Sequence, residues 1–233
     1  MAEKTISTTV ERRMKRDPGR LFTYADFDDL PASAVGPALS RLRARGEIRR
    51  ARKGVYYVPR WTVLGEVPAD PVVLGEAVSG GRSHLAGLSA ANALGLTTQV
   101  PARVELAVEG RRPTPPRGVA FKPRMRTNRR GLSAREAALL EVLHDINHLT
   151  DLSARDTVRT LRRLLADGEA RSRILRAAVS EPPRVRAMTG ALAEDAGASE
   201  AELRPLRKTL NPTTRYDFGP LSLLASARAW GAR

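Results

Sequence analysis

The sequence predicts an α+β fold that is mostly helical, and three observations lead to it. Residues 33–59 join one amphipathic helix to a short, arginine-rich hairpin pattern; residues 61–131 mix short helical and strand signals; from Ser133 onward the pattern is almost wholly helical. The 233 residues are enough for two or three domains, and a hydrophobic fraction of 42% is ample for packed cores. The expected division is 1–60, 61–131 and 132–233.

Ile6, Val10 and Met14 stand four apart among charged residues, which predicts a first helix over 5–16, ended by Asp17-Pro18-Gly19. Leu21-Phe22-Thr23 reads as a short extended piece. Thr23 is placed to N-cap a short second helix reaching residue 29, Pro31 to break it, and Ser33 to N-cap a third. In that third helix Val35, Ala38, Leu39 and Leu42 form one apolar stripe, and Gly46 supplies the left-handed cap. Pro37 deletes an amide donor just past the first turn, so a tight or kinked entry is expected. Strands over 47–51 and 55–58 follow, joined at Arg52-Lys53-Gly54, with Ile48, Val55 and Tyr57 pointing inward and Pro59 ending the pairing. Helix, strand, helix, helix and hairpin within about 55 residues is the order of a winged helix-turn-helix.

The middle stretch reads as a small α/β unit: helices over 71–79 and 88–96, with Gly95 as stop or kink, and strands over 103–108 and 119–122 around the turn-rich EGRRPTPPRG. The remainder predicts a helical region, with helices over 133–148, 153–167, 169–179, 182–196, 199–210 and 221–230. Ser133 with Glu136 makes a capping box, and Ser153 with Asp156 resembles one.

Lys and Arg number 40 against 25 Asp and Glu, a net charge of +15 with a pI near 11.3, which favours polyanionic partners. The excess leans toward the N-terminus: +7 over residues 1–60, +5 over 61–131 and +3 over the rest. An Arg-rich, Ala-rich composition of the kind GC-rich genomes produce explains Arg over Lys but not the net sign. With no cysteine, disulfides, Cys-ligated zinc, iron–sulfur clusters and thiol nucleophiles are excluded. No stretch reaches the roughly 20 apolar residues of a membrane span, and the first residues lack the apolar core of a signal peptide. A cytoplasmic, bacterial protein without a membrane partner is the expectation.

Candidate chemistry is sparse. His144 and His148 stand four apart as two metal ligands would, but no HExxH glutamate or spaced third ligand accompanies them, so no metal site is expected. Ser83, His84 and Ser89 lack a G-x-S-x-G elbow, and Gly80-Gly81 is no phosphate-binding loop. The acidic pairs Asp28-Asp29 and Glu194-Asp195 fit turn and helix-end positions. No catalytic residue, no cofactor and no enzyme activity are expected.

The basic residues are more informative. Opposite the apolar stripe the third helix carries Pro37, Ser40, Arg41 and Ala44, flanked by Arg43 and Arg45. An arginine there can hold guanine O6 and N7 with a bidentate fork, and small neighbours let the helix sit deep in the major groove. A solvated charged face is the plain alternative for the helix alone. Beside it, Arg49, Arg50, Arg52 and Lys53 put four cations in five positions, which repel one another unless phosphates accept them. The predicted DNA-binding residues are therefore Ser40, Arg41, Arg43, Arg45, Arg49, Arg50, Arg52 and Lys53, with Arg41 the foremost base reader.

LSRLRARGEIRRARKGVYYVP, residues 39–59, together with GLSAANALGLTTQVPARVELAVEG downstream, resembles the AbiEi-like antitoxin family of bacterial type IV toxin-antitoxin systems, in its branch with an N-terminal winged helix. The patterns LSRLxxxGxIxRxxxGxYxxP and S-A-x-x-x-L-G-L-x-x-Q-x-P fall here on 39–59 and 89–101, and PPRVRAMTGALAEDAG and LNPTTRYDFG look like that branch's helical tail. The resemblance implies a winged helix that binds double-stranded operator repeats, an α/β region needed for antitoxicity, and a neighbouring toxin of nucleotidyltransferase fold. It further implies repression of the protein's own operon, as a homodimer or paired monomers on DNA. The alternative is a free-standing winged-helix module for protein or RNA interaction with no toxin partner.

Overall fold

The computed structural model describes residues 2–67, 69–124 and 127–233. The chain is α+β and mostly helical, and it divides into two compact units, Met1–Gly81 with Pro113–Val119, and Arg82–Arg112 with Ala120–Arg233.

The first unit opens with α1 (Ala2–Lys15), whose Val10 and Met14 are fully buried. A short strand β1 (Leu21–Thr23) and a 3₁₀ turn (Tyr24–Phe27) follow. The Asp26 carboxylate accepts from the Thr23 N–H at 2.7 Å and from its hydroxyl at 2.9 Å, fixing the turn's entry. Helix α2 (Ala32–Ala44) starts one residue before the expected Ser33 cap: Pro31 stands at the N-cap, where its missing N–H costs nothing. Pro37 lies inside this helix, and Val35, Ala38, Leu39 and Leu42 are its buried stripe. Gly46, at φ 75°, closes the helix in a conformation a Cβ would disfavour, with its N–H on the Arg43 carbonyl at 2.9 Å and the Glu47 N–H on that of Leu42 at 3.0 Å.

β2 (Arg49–Arg52) and β3 (Val55–Tyr57) form the wing, and β1 joins them in the antiparallel order β1-β3-β2. A bulge between Arg50 and Arg52 shifts the register, pairing Arg50 with Tyr56. Tyr56, rather than the expected Tyr57, therefore joins Ile48, Phe22, Phe27 and the α2 stripe in the core, while Tyr57 shares the opposite face with Arg49. The sequence also missed a second hairpin, β4 (Arg60–Thr62) and β5 (Gly65–Val67), whose Trp61, Val63 and Leu64 stand in solvent. The unit continues through α3 (Pro71–Ser79), N-capped by Asp70.

In the second unit β6 (Ser83–Leu85), β7 (Val104–Glu109) and β8 (Val119–Arg124) form a three-stranded sheet, and α4 (Gly87–Ala93) follows β6. The helices α5 (Ala134–Val142), α6 (Ala154–Arg163), α7 (Gly168–Ala178), α8 (Pro183–Asp195) and α9 (Glu200–Arg207) come next. Ser133, Ser153 and Ser199 each accept the N–H three residues on, the N-terminal caps that residue type supplies. The long helix expected over 133–148 ends at Val142, and Ile146–His148 is a separate 3₁₀ turn. The helix expected over 221–230 is instead two 3₁₀ turns, Gly219–Leu223 and Ala227–Trp230, because Leu224 between them is extended (ψ 135°). Trp230 lies against α8 at Gly190, where a Cβ would stand 2.3 Å from the indole ring; the helix gives up propensity there for that approach.

The core of this unit holds a buried ionic cluster. Arg129 donates from Nε to Glu181 at 2.7 Å and from Nη1 to Glu141, whose other oxygen accepts from Arg124 at 2.8 Å. The Glu141 and Glu181 side chains are fully buried. His84 Nε2 lies 2.6 Å from Arg129 Nη1 and 3.4 Å from Glu141, and His144 Nε2 lies 2.8 Å from Glu181 and 3.3 Å from Arg129 Nη2, so both rings join the cluster. Burial works to raise the Glu141 carboxyl, but hydrogen bonding to His84 and the charges of Arg129 and Arg124 outweigh it and hold it well below the usual range. Glu181 is lowered in the same way, against its own burial, by His144 and Arg129.

Candidate nucleic-acid interface

α2 buries its stripe and leaves Pro37, Ser40, Arg41, Arg43, Ala44 and Arg45 exposed. The face available to a groove thus holds one hydroxyl, small side chains and arginines. Across the core, the wing is set by the β1-β3-β2 order, so its tip at Lys53 and Gly54 projects beyond the strands.

Tyr24 links the two parts. A Cβ at Gly36 of α2 would lie 3.7 Å from the Tyr24 hydroxyl, and one at Gly54 of the wing 3.7 Å from its ring edge. The ring is half exposed and within electrostatic reach of Arg50. Its phenol titrates above the ordinary tyrosine value, burial first and the neighbouring Tyr56 next, so the O–H remains a donor at neutral pH. Sequence reasoning passed over Tyr24 because it read the residue only as the start of a short helix; its position right after the Thr23 cap was the available signal.

The eight sequence-predicted residues fall into different surroundings. Arg43 and Lys53 are exposed, with no side-chain partner among the described residues. Arg50, also exposed, donates from Nε to the Arg52 carbonyl at 3.2 Å, and Arg52 donates to the Val78 carbonyl of α3 at 3.2 Å. Arg49 is held more firmly, by Glu66 of β5 at 2.7 Å and the Gly46 carbonyl at 2.7 Å. Arg45 belongs to a surface network with Glu47, Glu11 and Lys15 that ties the end of α2 to α1. Hydrogen bonds from Lys15 first and Arg45 next hold the Glu47 carboxyl below its ordinary value. Elsewhere in the unit Arg13 ties α1 to the 3₁₀ turn and the residues after it, through the Asp26 carbonyl at 2.7 Å and a bidentate pair with Asp29 at 2.6 and 2.7 Å.

The other candidate residues serve packing. His144 belongs to the buried cluster and His148 is exposed in a separate turn, so they share no helix face. No group of three or more potential ligands is arranged for a metal among the described residues. Ser89 accepts from the Glu105 N–H, and His84 faces Arg129. In the central SAANALGLTTQVP segment, Leu94 and Leu96 enter the core, and Thr97 and Gln99 both donate to Asp151. Among the described residues no helix is long and apolar enough to cross a membrane.

Residues 16–59, from the end of α1 through the wing, match the family described as "Transcriptional regulator, AbiEi antitoxin", which agrees with the resemblance read from that stretch. No curated protein matches the chain. A crystal structure of the RV2827C protein from Mycobacterium tuberculosis aligns over 91% of this chain and 84% of its own, at 20% identity and a TM-score of 0.48.

Proposed function

We propose that this protein is a DNA-binding transcriptional regulator, and that it is the antitoxin and autorepressor of a two-gene type IV toxin-antitoxin module. The observation that carries the first part is the meeting of α2 and the wing at Tyr24, which gathers the exposed face of α2, Arg50 and Lys53 at one rim. α2 enters the major groove, Arg41 reads a base edge, Ser40 and Tyr24 donate or accept beside it, and Arg43, Arg50 and Lys53 meet phosphates. Arg45, Arg49 and Arg52 contribute charge from positions already engaged within the protein. The second part rests on the family matched at 16–59 and on the central segment, which the resemblance ties to antitoxicity. On this reading residues 1–60 bind DNA, 61–131 and 132–233 serve neutralisation, and the partner is a nucleotidyltransferase-fold toxin encoded alongside.

Fluorescence anisotropy on the upstream region of the gene tests DNA binding. Replacing Arg43, Arg50 and Lys53 with Ala is expected to flatten the slope of log K against log salt by about 0.9 for each phosphate left without its cation. Arg41→Ala is expected to cost about 1–3 kcal/mol on the operator and much less on random duplex. An unchanged slope refutes the interface. Co-expression with the adjacent toxin gene tests the antitoxin role: the triple variant should still restore growth while losing repression, and failure of the wild-type chain to restore growth leaves only the regulator.

A further inference from the structure

The segment LNPTTRYDFG has no part in the interface above, yet it is firmly built. The Asn211 side-chain oxygen accepts from the Thr213 N–H at 3.0 Å and its hydroxyl at 2.8 Å, making a tight turn. The Tyr216 N–H donates to the Gly231 carbonyl at 2.8 Å and the Tyr216 carbonyl accepts from Arg233 at 3.1 Å, so the loop is laced to the 3₁₀ turn Ala227–Trp230 and the residues after it. Between the loop, the end of α9 and that turn lies a cavity of about 340 Å³. This volume is at the lower end of small-molecule sites, roughly 300–1,000 Å³.

Its lining includes Arg207, Arg215, Arg228, Asn211, Thr214 and Tyr216, and no Asp or Glu. Arg207 is already neutralised: it donates to Glu194 at 2.8 Å and stacks over Trp230 at 4.3 Å, forming a rigid wall. Arg215 uses Nη1 on the Pro212 and Thr214 carbonyls, which leaves its other donors available, and Arg228 is exposed with no side-chain partner among the described residues. Asp217, the nearest acid in the loop, is turned to Asn147 and the Gly219 N–H. Two arginines with uncommitted donors, a hydroxyl and an amide around a walled hollow suit a tetrahedral oxyanion, with Tyr216 as an aromatic surface for an attached organic body.

We propose that this cavity binds a small phosphate-bearing anion, held by Arg215 and Arg228. Such a ligand would bridge the loop and the Ala227–Trp230 turn in the second unit.

Isothermal titration calorimetry of the full chain with inorganic phosphate and with adenosine monophosphate tests it. Wild type is expected to bind with one-to-one stoichiometry, and Arg215→Ser and Arg228→Ser each to weaken binding roughly tenfold or more. Arg204→Ser, an equal loss of charge at an exposed site on α9 outside the cavity, should leave it unchanged. Equal affinity for the two probes identifies free phosphate as the ligand; tighter binding of the nucleotide identifies a phosphate with an organic body. Should either serine variant misfold by circular dichroism, Arg228→Lys, which keeps the charge, should retain most of the affinity. Absence of saturable binding at millimolar probe, or an Arg204→Ser loss as large as that of Arg228→Ser, overturns the proposal.

Discussion

Arg43 and Lys53 in the first unit and Arg129 in the second carry the same charge into opposite surroundings. The first two stand in water without a carboxylate; Arg129 is almost wholly buried between Glu141 and Glu181. Counted along the sequence they contribute alike to the +15. In the fold, one kind of cation is left for an external anion and the other has its anion built in. A net charge therefore points to a polyanionic partner only through residues whose local pairing is incomplete.

The largest expected effect comes from breaking the built-in pairing. Arg129→Met leaves two buried carboxylates without their shared cation, a loss of about 3–5 kcal/mol. Chemical denaturation should show it as a lower midpoint, and adding Glu141→Gln and Glu181→Gln should recover part of it, because the residual cost is uncompensated charge. A loss below about 1 kcal/mol would mean the site relaxes or hydrates, and the contrast between the units would be one of exposure alone.

Acid should separate the units next. Glu141 and Glu181 titrate lower in the folded protein than in the unfolded chain. Their stabilisation is therefore complete above the unfolded carboxylate value, about 4.3, and is lost as pH falls from there toward the folded values. In the first unit Glu47 and Asp29 are lowered as well, but both lie at the surface where solvent screens the gain. The two tryptophans report on the units separately, Trp61 exposed in the first and Trp230 buried in the second. In a Trp61→Phe variant, the Trp230 fluorescence transition is expected to move to lower denaturant below about pH 4.3. An invariant midpoint between pH 5 and pH 3 would contradict the role assigned to the cluster.

How much of this was legible follows from how local each signal is. α2, Gly46 and the wing could be read because stripe, cap and hairpin lie within neighbouring residues. The inward tyrosine could not: counting alternate residues through a regular turn from Ile48 pairs Arg50 with Tyr57, and only the bulge moves the pairing to Tyr56. Arg49, next to the inward Ile48, takes the opposite face by alternation alone, and there it meets Glu66. The β4–β5 hairpin is too short to alternate visibly, and its apolar tip is exposed, against the usual pattern. The Arg129 cluster draws on residues 84, 124, 129, 141, 144 and 181, which only tertiary structure brings together. Candidate interface residues were visible as a type; which of them already had partners was not.

Arg49 gives the smallest expected effect and the sharpest test of that last point. By sequence it is one of four wing cations equal to Lys53. In the structure it lies on the Tyr57 face, paired with Glu66 at 2.7 Å, whereas Lys53 sits at the wing tip unpaired among the described residues. Arg49→Ala should therefore change the salt slope of DNA binding by much less than the roughly 0.9 expected for Lys53→Ala. Its stability cost should stay within about 1 kcal/mol, since the pair is partly exposed. Glu66→Ala offers the converse: freeing Arg49 should leave the slope unchanged or steepen it. If Arg49→Ala flattens the slope as much as Lys53→Ala, the arginine leaves Glu66 for phosphate on the operator, and pairing in the free protein would not be what sorts the contacts of the wing.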